Sequence, residues 1–122
     1  MSTVFVDTIK NQAGTTSLAA NKLPDMLSGS AKAWVVFDGS GTVSVGDSLN
    51  NSSITDNGTG DYTNNFSNAF SSVNYTHFAG GEQAATLLDA VTVSSSEVSI
   101  YNFANNAVDR TIVCLSHHGD LA

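Results

Sequence analysis

The sequence is poor in cysteine, proline and positive charge, and these shortages exclude several classes of protein. The single cysteine, Cys114, cannot form a disulfide within the chain, so a disulfide-stabilised scaffold is excluded. Four Lys and Arg residues stand against eleven Asp and Glu residues, for a net charge of −7. This charge disfavours binding to nucleic acid, whose phosphates attract Lys and Arg, and it disfavours docking on anionic lipid.

Long apolar runs are also missing. The longest uninterrupted apolar stretch covers residues 33–37, whereas a transmembrane helix needs about 20 residues. The first ten residues alternate in polarity and carry Asp7 and Lys10, which is unlike a signal peptide. We therefore expect folding in a reducing cytoplasm and no insertion into a membrane.

Hydroxyl and amide side chains take the place of charge. Charged residues make up 12% of the chain, about half of the usual quarter. Ser, Thr and Asn number 17, 12 and 12 among the 122 residues, while 41% of the chain is apolar. The chain therefore has enough apolar residues for the core of one domain, under a surface of hydroxyls and amides.

Alternation with a period of two is the main structural signal. Residues 42–46 alternate as a half-buried strand does, and within 73–79 and 87–93 every second residue shares one parity. The segments 52–55 and 61–66 are strand candidates on either side of a turn, and 98–103 and 111–115 are rich in β-branched and aromatic residues. The segments 38–41 and 56–60 are typical of tight hairpin turns. Seven to nine strands at roughly 10-residue spacing predict an all-β fold, a single antiparallel β-sandwich of jelly-roll-like type.

The pattern divides the chain into two parts. We interpret residues 1–30 as an extended N-terminal arm with a linker, and residues 31–122 as the β-sandwich domain. The apolar strand 4–9 exposes backbone groups that can pair with a sheet edge on this domain, on a neighbouring subunit or on another protein. The linker is long enough to reach beyond this domain, which favours pairing with a neighbouring subunit or with another protein. The arm residues expected to mediate assembly are Val4, Phe5, Val6 and Ile9.

The segment 31–37 has apolar residues on both faces, so we expect a central strand that is covered on both sides. The predicted core consists of the apolar residues at inward-facing strand positions. These are Trp34, Val36, Phe37, Val43, Val45, Ile54, Tyr62, Phe66, Val91, Val93, Ile100 and Ile112.

Motifs of catalysis and cofactor binding are absent from the sequence. It contains no Gly-x-Ser-x-Gly elbow, no phosphate-binding loop and no Gly-x-Gly-x-x-Gly motif. We therefore predict no enzyme activity and no cofactor. A nucleophilic Ser/His/Asp set and a pair of glycosidase carboxylates stay open as minor alternatives, because neither can be placed without geometry.

Three groups of residues are candidates for binding. His117, His118 and Asp120 are weak candidates for a metal site, because consecutive strand residues face opposite ways and a solvated tail is the simpler interpretation. Asp56 and Asp61 offer oxygen ligands for calcium, but the hairpin turn explains the same residues. Aromatic residues suited to stacking on sugars, or to the core or a subunit contact, are Trp34, Tyr62, Tyr75 and Tyr101.

Two stretches of the chain resemble a β-rich module of tail-fibre and other virion proteins of tailed bacteriophages, especially marine ones. They are AKAWVVFDGSGTV, whose motif part begins at Lys32, and SSITDNGTGDYT at 52–63. The opening VDTIKNQAGT at 6–15 resembles a segment near the start of such fibre proteins. Departures from the family pattern are Asn64, the Gly46-Asp47 pair and the ending Ser116-His117-His118-Gly119-Asp120.

The resemblance implies a structural virion protein that is all-β, homotrimeric and not an enzyme, folded in the host cytoplasm before it joins the virion. Its partners would be its own copies, other virion proteins of tail or capsid, and a glycan of the host surface. A tail-fibre or tail-associated subunit is the first interpretation. A capsid decoration or head-fibre protein is the alternative, and a glycan depolymerase is a minor one.

Overall fold

The chain divides into two compact units, Met1–Ser30 and Ala31–Ala122. The computed structural model describes residues 7–10, 13–14, 17–19, 27 and 29–122. In the first unit, β1 (Thr8–Lys10) and β2 (Ser17–Ala19) pair as an antiparallel hairpin, with Ile9 opposite Leu18. A strand therefore lies inside the segment that we interpreted as a linker.

The second unit contains two four-stranded antiparallel sheets. Sheet I has the order β4 (Ser44–Leu49), β3 (Ala33–Asp38), β10 (Val113–His118), β7 (Thr76–Gly81). Sheet II has the order β5 (Asn51–Gly58), β6 (Asp61–Phe66), β9 (Ser95–Tyr101), β8 (Ala85–Val91). The prediction of an all-β antiparallel sandwich is confirmed.

Short turns link strands both within the sheets and between them. The β3–β4, β5–β6 and β8–β9 hairpins stay within one sheet, whereas β4–β5 and β7–β8 cross between sheets. Asn50 and Gln83 lie at the two crossing corners with φ of 53° and 47°, a conformation that Asn tolerates better than most residues. At the predicted turn after β3, the Ser40 amide donates to Asp38 Oδ1 at 2.7 Å.

The core lies between the facing sides of the two sheets. Its main cluster joins Val35, Phe37, Val113 and Leu115 of sheet I to Tyr62, Val98 and Ile100 of sheet II. The Phe37 and Tyr62 rings meet edge to face, with centroids 5.1 Å apart. A second cluster of Ala33, Phe66, Phe70 and Tyr75 fills the other end.

Burial separates the predicted core residues into three groups. Phe37, Tyr62, Phe66 and Ile100 are buried, and Val43, Ile54 and Val91 pack partly buried against the clusters. Trp34 is only half-buried. The core assignment is wrong for Trp34 and for four exposed valine and isoleucine residues, Val36, Val45, Val93 and Ile112. Val36 lies on the outer side of its strand, and Val45 lies on edge strand β4 at a register shift.

A buried tyrosine hydroxyl joins the turns at one end of the sandwich. Tyr62 Oη lies 2.7 Å from Asp109 Oδ1 and 2.9 Å from the Gly39 carbonyl, and the Gly60 amide donates to the same Asp109 oxygen at 2.8 Å. Burial, followed by the Asp109 carboxylate, raises the pKa of Tyr62 above its ordinary value. Gly60 has φ of 68°, and a Cβ there would lie 2.5 Å from the Ile100 carbonyl oxygen.

Candidate interaction surface

The outer side of sheet I carries an unusual amount of apolar surface. Strand register places Leu49, Trp34, Ser116 and Phe78 in one row across β4, β3, β10 and β7. Directly paired residues of neighbouring strands share a side of the sheet. This row therefore crosses all four strands on the side turned away from the core.

A second row lies beside the first. Its members are Asp47, Val36, Cys114 and Gly80, again one from each strand. We call the set Trp34, Val36, Leu49, Phe78 and Cys114 the apolar outer face. Within the two rows Asp47 is the only carboxylate, and it lies on edge strand β4.

Four of these five side chains are open to solvent within the described chain, and Trp34 is half-buried. Phe78 is 64% exposed, Leu49 48% and Val36 38%, and Cys114 is exposed as well. Removing apolar surface from water contributes about 25 cal/mol per Å². A continuous apolar patch on a folded domain is therefore a place where a partner can bind favourably.

The sequence of β3 explains why this face exists. Ala33-Trp34-Val35-Val36-Phe37 is apolar at both parities, so turning Ala33, Val35 and Phe37 inward leaves Trp34 and Val36 outside. The expectation of a central strand is met, because β3 lies between β4 and β10. The expectation of cover on both faces is not met within residues 29–122.

The outer side of sheet II is chemically different. Rows across it contain Ser53, Asn65 and Ser95, and Thr55, Thr63 and Glu97. The Asn65 amide donates to the hydroxyls of Ser53 at 3.1 Å and Thr55 at 3.0 Å. This side satisfies its polar groups with each other and with water.

Carboxylates also gather on the outer side of sheet II. Partial burial, followed by the neighbouring Asp61 and Asp89, raises the pKa of Glu97. Asp89 also accepts a short hydrogen bond from the Ser99 hydroxyl. The two outer sides of the sandwich therefore differ in charge as well as in hydrophobicity.

The proposed metal candidates do not converge. His117 is fully buried in the core, His118 lies on the outer side of β10 near Phe78, and Asp120 is exposed after the strand. In the described part of the chain, no group of three or more His, Cys, Asp or Glu residues is arranged to hold a metal ion. The interpretation of this segment as a solvated tail is wrong for His117.

The aromatic residues considered for sugar stacking are also separated. Tyr62 and Tyr75 are buried, and Tyr75 Oη lies 2.9 Å from each of the carbonyl oxygens of Thr92 and Ser95, which share its one proton. Their rings are therefore closed to a glycan, and the core alternative holds for both. Trp34 and Tyr101 are half-buried, on sheet I and sheet II respectively.

Of the predicted assembly residues, Val4, Phe5 and Val6 lie outside the described residues. Ile9 lies in β1, paired with Leu18. The backbone of β1 thus has a partner strand within residues 1–30.

Sequence reasoning missed Phe78 and Leu49 as members of the candidate interaction surface. The signal for Phe78 was present, because it interrupts the parity shared by Tyr75, His77 and Ala79 with a large apolar residue on the opposite side. Leu49 ends a strand whose other outward residues, Ser44 and Asp47, are polar, so its own segment gave no such signal.

Within residues 7–10, 13–14, 17–19, 27 and 29–122, the structure contains no pocket of ligand size and no helix with the length and apolarity needed to cross a bilayer. No protein-family model, curated protein or solved structure matches the chain.

Proposed function

We propose that this chain is a structural protein of a tailed-bacteriophage particle, a tail-fibre or tail-associated subunit that assembles through the apolar outer face. The observation that carries the proposal is the row of Leu49, Trp34 and Phe78 on the outer side of sheet I, in which two exposed apolar side chains lie in line with a half-buried indole. The virion context comes from the resemblance of residues 32–43 and 52–63 to such proteins.

The charge distribution supports assembly between copies through this face. Residues 31–122 hold nine of the eleven acidic residues and two of the four basic ones, so this unit carries the whole net charge of −7. Copies that met through the carboxylates of sheet II would repel each other. The apolar outer face, with Asp47 at its edge, is where copies of an acidic domain can pack at least electrostatic cost.

In this proposal the assembly is a homotrimer, as the resemblance implies, folded in the host cytoplasm and carried on the virion. Each apolar outer face turns towards the other copies. The hydroxyl and amide side of sheet II stays on the outside, where it would meet other virion proteins or a host-surface glycan.

The test is incorporation into phage particles. Purified particles should contain the chain, and particles carrying a labelled copy should show it on the tail by electron microscopy. Label on the head would favour the capsid-decoration alternative, and a chain absent from purified particles would contradict the proposal.

A matched pair of variants tests the role of the face in the particle. Phe78→Asp adds a charge to the apolar outer face and should reduce incorporation at least tenfold. Phe103→Asp makes the same change at an 84% exposed loop residue that lies outside this face. It should leave incorporation unchanged. Equal incorporation of both variants would contradict assembly through the apolar outer face.

A further inference from the structure

A buried histidine connects the two sheets. His117 on β10 of sheet I is fully buried, and its Nε2 lies 2.7 Å from the Oγ of Ser96, which is 1% exposed on β9 of sheet II. Most of the core consists of apolar side chains. This is therefore a buried hydrogen bond between the two sheets, in a core that is otherwise mainly apolar.

The surroundings of His117 offer no negative charge. Its ring meets Phe66 edge to face at 5.0 Å and Tyr75 at 5.9 Å between centroids. On the adjacent strand, its cross-strand partner His77 stacks on it at 5.9 Å with an interplanar angle of 28°. The two imidazole rings therefore stack on each other, and the rings of Phe66 and Tyr75 surround His117.

The titratable groups around His117 cannot neutralise a positive charge. They are His77 and Tyr75, which contact its ring from the β7 side, and His118, the next residue on β10. β9, β6 and β3 contribute Ser96, Phe66 and Ala33, none of which is charged. Burial raises the pKa of Tyr75 to about 12, so this phenol stays neutral.

We propose that the stacked His117–His77 pair makes the packing of the two sheets acid-sensitive, so that protonation opens the Phe66–Phe70–Tyr75 end of the sandwich. A positive charge on either ring would lie against the other ring and the aromatic side chains, with no carboxylate to compensate it. In addition, Nδ1 of both histidines is buried without a hydrogen-bond partner. This inference does not depend on the proposed function.

The direction of the pH effect follows from the histidine environments. Burial above all lowers the pKa of His117 from 6.5 to about 4; the Ala33 backbone opposes this effect, and His77 and His118 add to it. Burial also lowers the pKa of His77. The unfolded chain therefore binds protons that the folded chain does not between pH 6.5 and 4, and stability falls as the pH decreases through this window.

The experiment measures urea unfolding of the full chain at fixed protein concentration between pH 7 and pH 5. The pKa values of His117, 6.5 in the unfolded chain and about 4 in the folded chain, predict that the unfolding equilibrium constant rises about 20-fold over this range. His117→Asn should remove most of this rise, even if it lowers stability at every pH. His118→Gln, a change at the neighbouring outer residue, should keep it.

Nuclear magnetic resonance of the folded wild type provides a second measurement that does not require a folded variant. The imidazole of His117 should stay neutral through pH 5. Protonation of His117 near pH 6.5 in the folded chain would overturn the proposal. So would an unchanged pH dependence in folded His117→Asn.

Discussion

The two sheets of the sandwich have similar inner sides and opposite outer sides. Inward, both contribute fully buried apolar residues, such as Val35 and Phe37 from sheet I and Tyr62 and Ile100 from sheet II. Outward, sheet I shows Trp34, Leu49 and Phe78 in one row, whereas sheet II shows mainly hydroxyls, amides and carboxylates, with Leu87 exposed on β8. A single fold therefore presents one side suited to a protein contact and one side suited to water.

The difference shows that folding fixes the residue types on only one side of a strand, the buried side. Folding requires that one parity be apolar, because that side must be buried. The other parity is free to serve solubility or association. In β6 it holds Asp61, Thr63 and Asn65, while in β3 it holds Trp34 and Val36. We infer that the second apolar parity of β3 serves assembly.

The largest expected effect compares the inner and outer sides of a single strand. Phe37→Ala removes a ring that is 1% exposed and should lower the free energy of unfolding by about 3–5 kcal/mol. Trp34→Ala, on the outer side, should cost less than about 2 kcal/mol in the isolated subunit. Urea unfolding in a Phe78→Asp background measures both without assembly, and equal costs would mean that Trp34 belongs to the core.

The next effect concerns the polar link at the inner side of sheet II. Tyr62→Phe removes the hydroxyl that lies 2.7 Å from Asp109 Oδ1 and 2.9 Å from the Gly39 carbonyl oxygen. We expect a loss of about 1–2 kcal/mol, because the variant removes a buried hydroxyl whose one proton two acceptors share. Tyr101→Phe, at a half-buried tyrosine of the same sheet, is the control and should cost less. A neutral Tyr62→Phe variant would show that the turns hold without this link.

The smallest effect is expected on the outer side of sheet II. Asn65→Ala removes the amide that donates to the hydroxyls of Ser53 and Thr55. Because these groups lie near water, the loss should be about 0.5–1 kcal/mol. Thr59→Ala, at an exposed turn residue, should change stability less. A loss above about 2 kcal/mol would mean that this polar side contributes to the fold as strongly as the core does.

Local pattern predicted the strands well, because a period of two and Gly-containing turns are local properties. The strand 61–66 has the bounds expected, and a turn follows β3 where the sequence placed it. The turn predicted at 56–60 is shorter than expected, because β5 continues to Gly58 and leaves only residues 59–60. The pairing of β10 between β3 and β7 joins residues that are far apart in sequence. No local signal specifies such a pairing.

The candidate surface was harder to predict for the same reason. Trp34 and Phe78 share a row only because β10 brings Ser116 between them. Burial of Tyr75 and His117 likewise depends on packing between the sheets. From the sequence, both could be interpreted as surface residues, one suited to stacking on sugars and the other to a solvated tail.

Sedimentation equilibrium at micromolar concentration tests the central claim most directly, with wild type, Phe78→Asp and Leu87→Asp measured side by side. Leu87 is the matched control because it is 53% exposed on sheet II, away from the apolar outer face. We predict about three times the chain mass of 12.6 kDa for wild type and Leu87→Asp, and the single-chain mass for Phe78→Asp. A wild type of 12.6 kDa, or a Phe78→Asp variant that keeps the wild-type mass, would contradict assembly through the apolar outer face.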